Sequence, residues 1–347
     1  MPLKPLDRRI VMFTEPISVD EVRALVANKD FSTLQCSTPQ SGPTWDLLNR
    51  HFFEQRPDVT LRVFGFYGLE CDLSFLPRLP NVRAFSADAI MEGKGLEYLA
   101  SLPALRSLGI GIYNLKSFDF LSQLPASLHT LKLMVTRSKK PDLAPLSRFN
   151  DLAELYLEGQ QKNIDVLAEL TSLQDVTLRS ISTPDLSYVS SLPNLVSLDI
   201  KLGGIKDLSH VAGSRSIKYF ELWQVSGLET IDVIGLMPSL QNLFLHSLAR
   251  IKALPDLRDA VSLRRLTIQN LRSLRDFSEA EFAPALEEFR LSQGNRQQPD
   301  DLLPVLRNPN LRRASAWFGS DSKNRKFSLM LEERGIDEFE WSGFDYA

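Results

Sequence analysis

The feature that most constrains the fold of this chain is an apolar pattern that returns thirteen times along it. Each occurrence has three apolar residues, separated first by two variable residues and then by one, and successive occurrences begin 21 to 25 residues apart. The triplets are Leu61/Phe64/Phe66, Val82/Phe85/Ala87, Leu105/Leu108/Ile110, Leu128/Leu131/Leu133, Leu152/Leu155/Leu157, Leu173/Val176/Leu178, Leu195/Leu198/Ile200, Ile217/Phe220/Leu222, Leu240/Leu243/Leu245, Leu263/Leu266/Ile268, Leu286/Phe289/Leu291, Leu311/Ala314/Ala316 and Ile336/Phe339/Trp341. A regular period of this length indicates a solenoid, in which each repeat buries its apolar face against its neighbours.

Within each repeat the last two apolar positions are two residues apart, which is the spacing along one face of a strand. The segments between these strands are short and contain prolines such as Pro141, Pro145, Pro184 and Pro255, which disfavour long helices. A repeat of this length is enough for the crossover that parallel neighbours require. The sequence therefore predicts short parallel strands joined by single helical turns or extended chain.

Period and pattern together resemble the leucine-rich-repeat family, specifically its short class typified by the internalins, over residues 59–346. The resemblance implies an α/β fold: a right-handed, curved solenoid with about 13–14 strands in a parallel concave sheet and helical caps. The family usually places Asn three residues after the third apolar position, where its amide binds the backbone of neighbouring turns. Here these positions hold Leu69, Ile90, Tyr113, Thr136, Gln160, Ile181, Gly203, Val225, Leu248, Leu271, Gly294 and Gly319. Because none is Asn, we expect other groups to close these turns.

Residues 1–58 precede the repeats and are predicted to form an N-terminal cap over the first apolar face. The cap is expected to contain a helix that begins with a capping box, a degenerate first strand and a second helix. These elements are predicted at Val19–Asn28 with Ser18 and Glu21 as the box, at Phe31/Leu34/Cys36, and at Trp45–Gln55.

The repeats are predicted to occupy residues 59–321, and residues 322–347 are predicted to close the other end. A helix is expected over Lys323–Arg334, where Gly335 stops it. A last strand should follow, with Trp341 and Phe344 sealing the edge of the sheet. We therefore expect one continuous domain.

Composition narrows the classes of partner and compartment. Forty basic residues nearly balance 43 acidic ones, for a net charge of −3, so no global basic field favours nucleic acid or an anionic membrane. The two cysteines, Cys36 and Cys71, indicate a reducing compartment, and Cys36 is expected to fill a core position. The apolar run Ile10–Phe13 is too short for a secretory signal, and no stretch is long enough for a membrane helix. We expect a cytoplasmic protein.

No sequence motif points to catalysis. The four histidines, His51, His129, His210 and His246, lack metal-ligand spacing, and there is no phosphate-binding loop or nucleophile elbow. The repeats leave no residues for a separate catalytic domain. We expect no enzyme activity, no cofactor and no metal.

The variable positions of the strands line the exposed face of the predicted sheet and are the candidates for partner binding. Large aromatic side chains and arginines on such a face are typical anchors of protein interfaces. The predicted partner-binding residues are Tyr156, Tyr219, Trp223, Phe244, His246, Arg290 and Trp317. The alternative is that some of these side chains lie flat and pack on their neighbours.

Charged residues form a second group of candidates. A ladder of cations follows the first apolar residue of four successive strands, at Arg62, Arg83, Arg106 and His129. Stacked cations repel one another, so the ladder indicates either an acidic partner or solvated side chains at the edge of the sheet. Two other arginine pairs flank acids and are predicted to be compensated internally: Arg264/Arg265 and Arg312/Arg313 around Glu287/Glu288.

These observations favour a non-catalytic scaffold, monomeric when free, that binds a macromolecular partner, most simply a protein, on its concave face. Resemblance to free-standing bacterial repeat proteins suggests an inhibitor or immunity-type protein. The alternative is binding of nucleic acid or an anionic ligand through the arginine ladder, against which the near-zero net charge argues. A ligand-sensing receptor half is a further alternative, although such receptors are typically secreted or fused to effectors.

Overall fold

The computed structural model describes residues 3–5, 9–66, 68–340 and 343–346, and the chain divides into two compact units, residues 1–173 and 174–347. The strands of the first unit are β1 (Leu3–Pro5), β2 (Ile10–Phe13), β3 (Thr33–Cys36), β4 (Thr60–Phe64), β5 (Cys71–Asp72), β6 (Ala84–Ile90), β7 (Gly93–Lys94), β8 (Ser107–Ile112), β9 (Thr130–Leu133) and β10 (Glu154–Glu158). They form a sheet in the order β1-β2-β3-β4-β6-β8-β9-β10, in which β1 pairs antiparallel with β2 and the other pairs are parallel. β5 and β7 make a separate parallel pair.

The N-terminal cap has most of its predicted elements. Helix α1 spans Val19–Ala27, and Ser18 and Glu21 form the predicted capping box. The degenerate strand is confirmed as β3. Helix α2 spans Gly42–Leu48 and continues into a π-helical turn over Asn49–Phe53. The second helix therefore begins before its predicted start, because the Ser41 hydroxyl accepts the Thr44 amide and caps it. Strand β2 was not predicted from the sequence.

The predicted first triplet, Leu61/Phe64/Phe66, is displaced by three residues along the chain. Leu61 pairs with Phe85, which is the second apolar position of the next repeat, and not with Val82. Leu61 and Val63 are both fully buried, whereas Phe64 is half-buried. Alternation along a strand then places Arg62 on the exposed face of the sheet. Arg62 consequently does not belong to the ladder that contains Arg83, Arg106 and His129.

The second unit contains eight strands among its described residues, all paired in parallel and in sequence order. They are β11 (Asp175–Arg179), β12 (Ser197–Lys201), β13 (Tyr219–Trp223), β14 (Asn242–His246), β15 (Arg265–Gln269), β16 (Glu288–Ser292), β17 (Arg313–Ala316) and β18 (Asp337–Glu338). The predicted register is confirmed from β11 to β17, where, for example, Leu198 lies between Val176 and Phe220 and all three are fully buried. At β18 the predicted register is wrong by one residue, because Ala314 pairs with Glu338 and not with Phe339.

Short helices form most of the returns between strands, as the prolines predict. The 3₁₀ segments are Leu76–Arg78, Leu96–Ser101, Asp119–Gln123, Ala144–Arg148 and Ile164–Glu169 in the first unit, and Ser187–Val189, Ser209–Val211, Asp232–Leu236, Ser278–Phe282 and Pro299–Leu302 in the second. Helix α3 spans Leu303–Leu306. Helix α4, at Asp321–Glu332, confirms the predicted last helix, and the chain reverses at Gly335, where φ is 66°.

Left-handed backbone and a glutamine close the turns that lack Asn. In the five repeats from β11 to β15 the residue two positions after the third apolar position has φ between 50° and 56°, as at Ser180, Leu202 and Gln224. Its N–H donates to a carbonyl at the end of the next strand, so the hydrogen-bond ladder continues into the turn. In the first unit the buried Gln160 amide donates to the Met134 carbonyl at 2.9 Å and to the Thr136 hydroxyl at 3.1 Å. The Gln160 amide thus makes a hydrogen bond to the backbone of a neighbouring turn, as Asn does in leucine-rich repeats.

Candidate protein-binding surface

Three aromatic side chains form a stack on the exposed face of strands β13 and β14. The ring of His246 lies 5.2 Å from that of Trp223 and 5.9 Å from that of Phe244, nearly parallel to both. The Arg179 guanidinium covers the Trp223 ring at 5.7 Å. These three rings, the aromatic stack, are half-buried because they pack on one another. The structure therefore brings together the predicted residues Trp223, Phe244 and His246, but leaves them less exposed than expected.

A charged network lies beside the aromatic stack on strands β12 and β13. The Lys201 ammonium lies 3.0 Å from a carboxylate oxygen of Asp199 and 3.1 Å from one of Glu221. The hydroxyl of the predicted site residue Tyr219 donates to Glu221 at 2.9 Å. The register of the parallel strands places Asp199 opposite Glu221 and Lys201 opposite Trp223, so network and stack form one continuous surface.

Burial controls the titration of this surface. It raises the pKa of Asp199 to about 6, because the loss of hydration outweighs the attraction of Lys201, and the Glu221 carboxylate adds repulsion. Burial also raises the pKa of Tyr219 and lowers the pKa of His246. The aromatic stack is therefore a stack of neutral rings at neutral pH, next to a carboxyl that ionises in the mildly acid range.

Residues 343–346, the C-terminal segment, lie across the same face of the second unit. The Arg265 side chain donates to the Gly343 carbonyl, and the Phe344 ring lies 4.9 Å from the Arg265 guanidinium. The Asn242 amide donates to the Tyr346 hydroxyl at 3.3 Å. Segment and sheet enclose a cavity of about 240 Å³ lined by Tyr219, Asn242, Phe244, Arg265, Thr267, Gly343, Phe344 and Tyr346. The prediction that Phe344 seals the edge of the sheet is wrong, and Trp341 lies outside the described residues.

The other predicted anchors are not part of the aromatic stack. Tyr156 belongs to β10 of the first unit, where its hydroxyl donates to Glu158. Arg290 lies two strands from Phe244, beyond Thr267. Trp317 follows β17 and is 59% exposed, which makes it the most exposed of the predicted anchors. Three intervening sheet spacings of about 4.8 Å put it about 14 Å from His246.

The arginine ladder is reduced to three exposed side chains. Arg83, Arg106 and His129 precede their strands and are exposed, and their carbonyls accept amides of the next repeat. Arg62 instead forms a two-pronged ion pair with Asp88, one contact of which is 2.8 Å. Its charge is already compensated, so the predicted four-member ladder is wrong at Arg62.

The predicted compensation around Glu287 and Glu288 is confirmed. Glu287 contacts Arg264 at 3.2 Å and Arg312 at 4.0 Å on the surface. Glu288 forms ion pairs with Arg265 and Arg313, and the Arg265 and Glu288 side chains are only 4% and 7% exposed. Arg265 is buried because the rings of Phe339 and Phe344 cover its guanidinium. The sequence showed the charge pairing but not its burial.

Reactive and metal-binding groups are sparse in the part of the chain that the structure describes. Cys36 and Cys71 are buried thiols, and burial raises the pKa of Cys71 to about 12. No group of three or more His, Cys, Asp or Glu side chains in residues 3–5, 9–66, 68–340 and 343–346 is placed to hold a metal ion. None of the helices within these residues is both long and apolar enough to cross a bilayer.

Comparison with known proteins gives matches among solved structures. No family model and no curated protein sequence matches the chain. An internalin from Listeria monocytogenes is similar over 88% of this chain and 86% of its own, with 22% identity and a TM-score of 0.58. A chain of the Drosophila Toll–Spätzle complex is similar over 90% of this chain with 14% identity and a TM-score of 0.57. The TLR13–ssRNA13 complex contains a chain similar over 89% of this one, with 14% identity and a TM-score of 0.55. This chain spans about half the length of each of these last two chains, 50% of the former and 54% of the latter.

Proposed function

We propose, from the leucine-rich-repeat fold of this chain, that it is a non-catalytic scaffold that binds a protein partner on the exposed sheet face of its second unit. The single observation that carries the proposal is the aromatic stack of Trp223, Phe244 and His246 on two adjacent strands. Large aromatic side chains that remain partly accessible on a sheet are the typical hot spots of protein interfaces. The stack is already ordered before binding, so little conformational entropy is lost when a partner covers it.

The charged network gives this surface its specificity. A partner that covers Asp199, Lys201 and Glu221 must place groups of opposite charge or hydrogen-bonding groups against them. Otherwise it leaves charges buried without compensation. We propose a partner with an apolar or aromatic contact centre and polar groups around it.

The proposal extends to a role and to a compartment. The Toll–Spätzle complex is an example of a similar fold bound to a protein, and the resemblance to bacterial repeat proteins suggests an inhibitor or immunity-type role. A cytoplasmic location is consistent with two buried thiols, Cys36 and Cys71, that form no disulfide.

Binding of nucleic acid or another anion through the ladder is the second candidate. The TLR13–ssRNA13 complex shows that a chain of similar fold occurs in a complex with RNA. In this chain, however, Arg62 is paired with Asp88, and only Arg83, Arg106 and His129 form an exposed ladder. Titration with a single-stranded oligonucleotide tests this candidate. We expect no saturable binding of the oligonucleotide. Saturable binding that Arg106→Ala weakens would support this second candidate.

Affinity capture tests the leading proposal. Wild-type chain, Trp223→Ala and Phe282→Ala are immobilised and exposed to lysate of the source cells. Phe282 is the matched control, an aromatic residue that is 46% exposed and lies in a return segment away from the sheet. Wild type and Phe282→Ala should retain the same protein, whereas Trp223→Ala should lose it. Calorimetric titration of the captured protein should then show that Trp223→Ala weakens binding by at least about 2 kcal/mol. Equal affinities of all three chains would assign the interface to another surface.

A further inference from the structure

A second surface, on the first unit, carries a ladder of exposed apolar side chains. Leu69, Met91, Tyr113 and Val135 lie 22 residues apart from one another along the sequence and are 39–60% exposed. They lie just beyond the ends of β4, β6, β8 and β9, where Tyr113 accepts the amide of Arg137 from the next turn. All four side chains line the same depression, so together they form one continuous apolar stripe, the apolar ladder.

The apolar ladder borders an open groove of about 900 Å³. Strand β8 has glycine at two exposed-face positions, Gly109 and Gly111, so no side chain rises from the middle of the groove. A Cβ atom at Gly111 would lie 2.8 Å from the Met134 sulfur and 3.0 Å from the Asp88 Cβ, so the floor is closely packed as well as low. The groove therefore has a closely packed floor on the sheet and an apolar wall.

Carboxylates outnumber cations among the residues that line this groove. Among its described lining residues, Glu70, Asp88, Glu92 and Glu158 are acidic, and Arg62 is the one base. Two of the acids directly follow residues of the apolar ladder: Glu70 after Leu69 and Glu92 after Met91. Lys94 contacts Glu70 at 2.7 Å, and Lys116 and Arg137 line a neighbouring depression. Glu92 accepts a hydrogen bond from the neutral Asn114 amide.

We infer that this groove docks an extended polypeptide segment of a partner, with apolar side chains on one face and lysine or arginine beside them. The apolar ladder crosses four repeats, and three spacings of about 4.8 Å make about 14 Å, the length of about four extended residues. Apolar side chains of the segment enter the groove beside the apolar ladder, and a lysine or arginine next to them reaches the Glu92 carboxylate, which lines the groove. This surface is separate from the aromatic stack and independent of the function proposed for it.

Two labelled synthetic peptides test the inference by fluorescence anisotropy. In the first, lysine alternates with leucine and phenylalanine, and in the second, glutamate replaces every lysine. We expect wild-type chain to bind the lysine peptide at least about tenfold more tightly than the glutamate peptide. The double variant Met91→Ser/Val135→Ser should weaken the lysine peptide by about tenfold or more, because two apolar contacts are lost. Glu92→Gln should weaken it about two- to fivefold at low salt and leave the glutamate peptide no weaker.

Leu236→Ser is the matched control, since Leu236 is 57% exposed but belongs to the second unit. It should leave both affinities unchanged, and all variants should melt at the wild-type temperature because the altered side chains are exposed. Equal binding of the two peptides, no binding of the lysine peptide, or the same loss in Leu236→Ser would overturn the inference. Concentration-dependent dimers that disappear in Met91→Ser/Val135→Ser would also overturn it, by assigning the groove to a second copy of the chain.

Discussion

Removal of the Glu288 carboxylate should destabilise the second unit far more than removal of the neighbouring Glu287 carboxylate. Glu288 contacts Arg265 at 2.5 Å, and the two side chains are 7% and 4% exposed. Glu288→Ala therefore leaves a guanidinium buried without its counter-charge, which costs about 3–5 kcal/mol. Glu287 is 29% exposed and contacts Arg264 and Arg312, which are 37% and 76% exposed. Glu287→Ala should cost no more than about 1 kcal/mol.

Urea unfolding followed by circular dichroism measures both costs from the midpoint and slope of each transition. The pair is matched, because the two glutamates are adjacent and each contacts two arginines. Adding Arg265→Met to Glu288→Ala should restore part of the lost free energy of unfolding, since the second substitution removes the uncompensated charge. Equal midpoints for Glu287→Ala and Glu288→Ala would refute the burial of this ion pair. A double variant no more stable than Glu288→Ala would assign the loss to packing.

Three further outcomes follow from the same structure. Leu198→Ala should lower the free energy of unfolding by about 2–5 kcal/mol through a buried cavity, whereas Thr177→Ala, half-buried on the exposed face, should lower it by under about 0.5 kcal/mol; equal shifts in denaturant melts would contradict the register. Burial raises the pKa of Asp199 from 3.8 to about 6, so its contribution to stability is present at low pH and lost as the pH rises through this range. The stability of wild type relative to Asp199→Asn should thus fall by about 1–2 kcal/mol between pH 4 and pH 6, and a rise in urea melts would reverse the sign of the argument. Phe344→Ala should release the C-terminal segment and increase the hydrogen exchange of residues 343–346, whereas unchanged exchange would show that the ring does not hold the segment.

The sequence predicted the repeat architecture because period and strand alternation report directly on burial. The inward positions of β11 to β17 were assigned correctly, as at Leu198, and the capping box at Ser18 and Glu21 was read from local spacing alone. The prediction of the first triplet is wrong because Leu61, Phe64 and Phe66 also fit the apolar pattern, although they are not the inward positions of the strand. The alternation of Leu61 and Val63 is the signal that marks the correct register.

The candidate site was less predictable than the fold. Strand register places Trp223, Phe244 and His246 on adjacent strands, but their mutual stacking depends on side-chain orientation, which a sequence pattern does not contain. The ion pair between Arg62 and Asp88 was missed because it depends on the corrected register. The contact of Phe344 with Arg265 joins residues far apart in the sequence and outside the repeat pattern, so periodicity offers no signal for it.

The central claim, that the exposed sheet face of the second unit binds a protein, is tested most directly by photocrosslinking in the source cells. Benzoylphenylalanine is placed at Phe244 and Arg290 on this face, and at Leu236 and Phe282 in the return segments. We predict that the two positions on the sheet capture one and the same protein and that the two return positions do not capture it. Capture of that protein from Leu236 or Phe282, with none from Phe244 and Arg290, would contradict the claim.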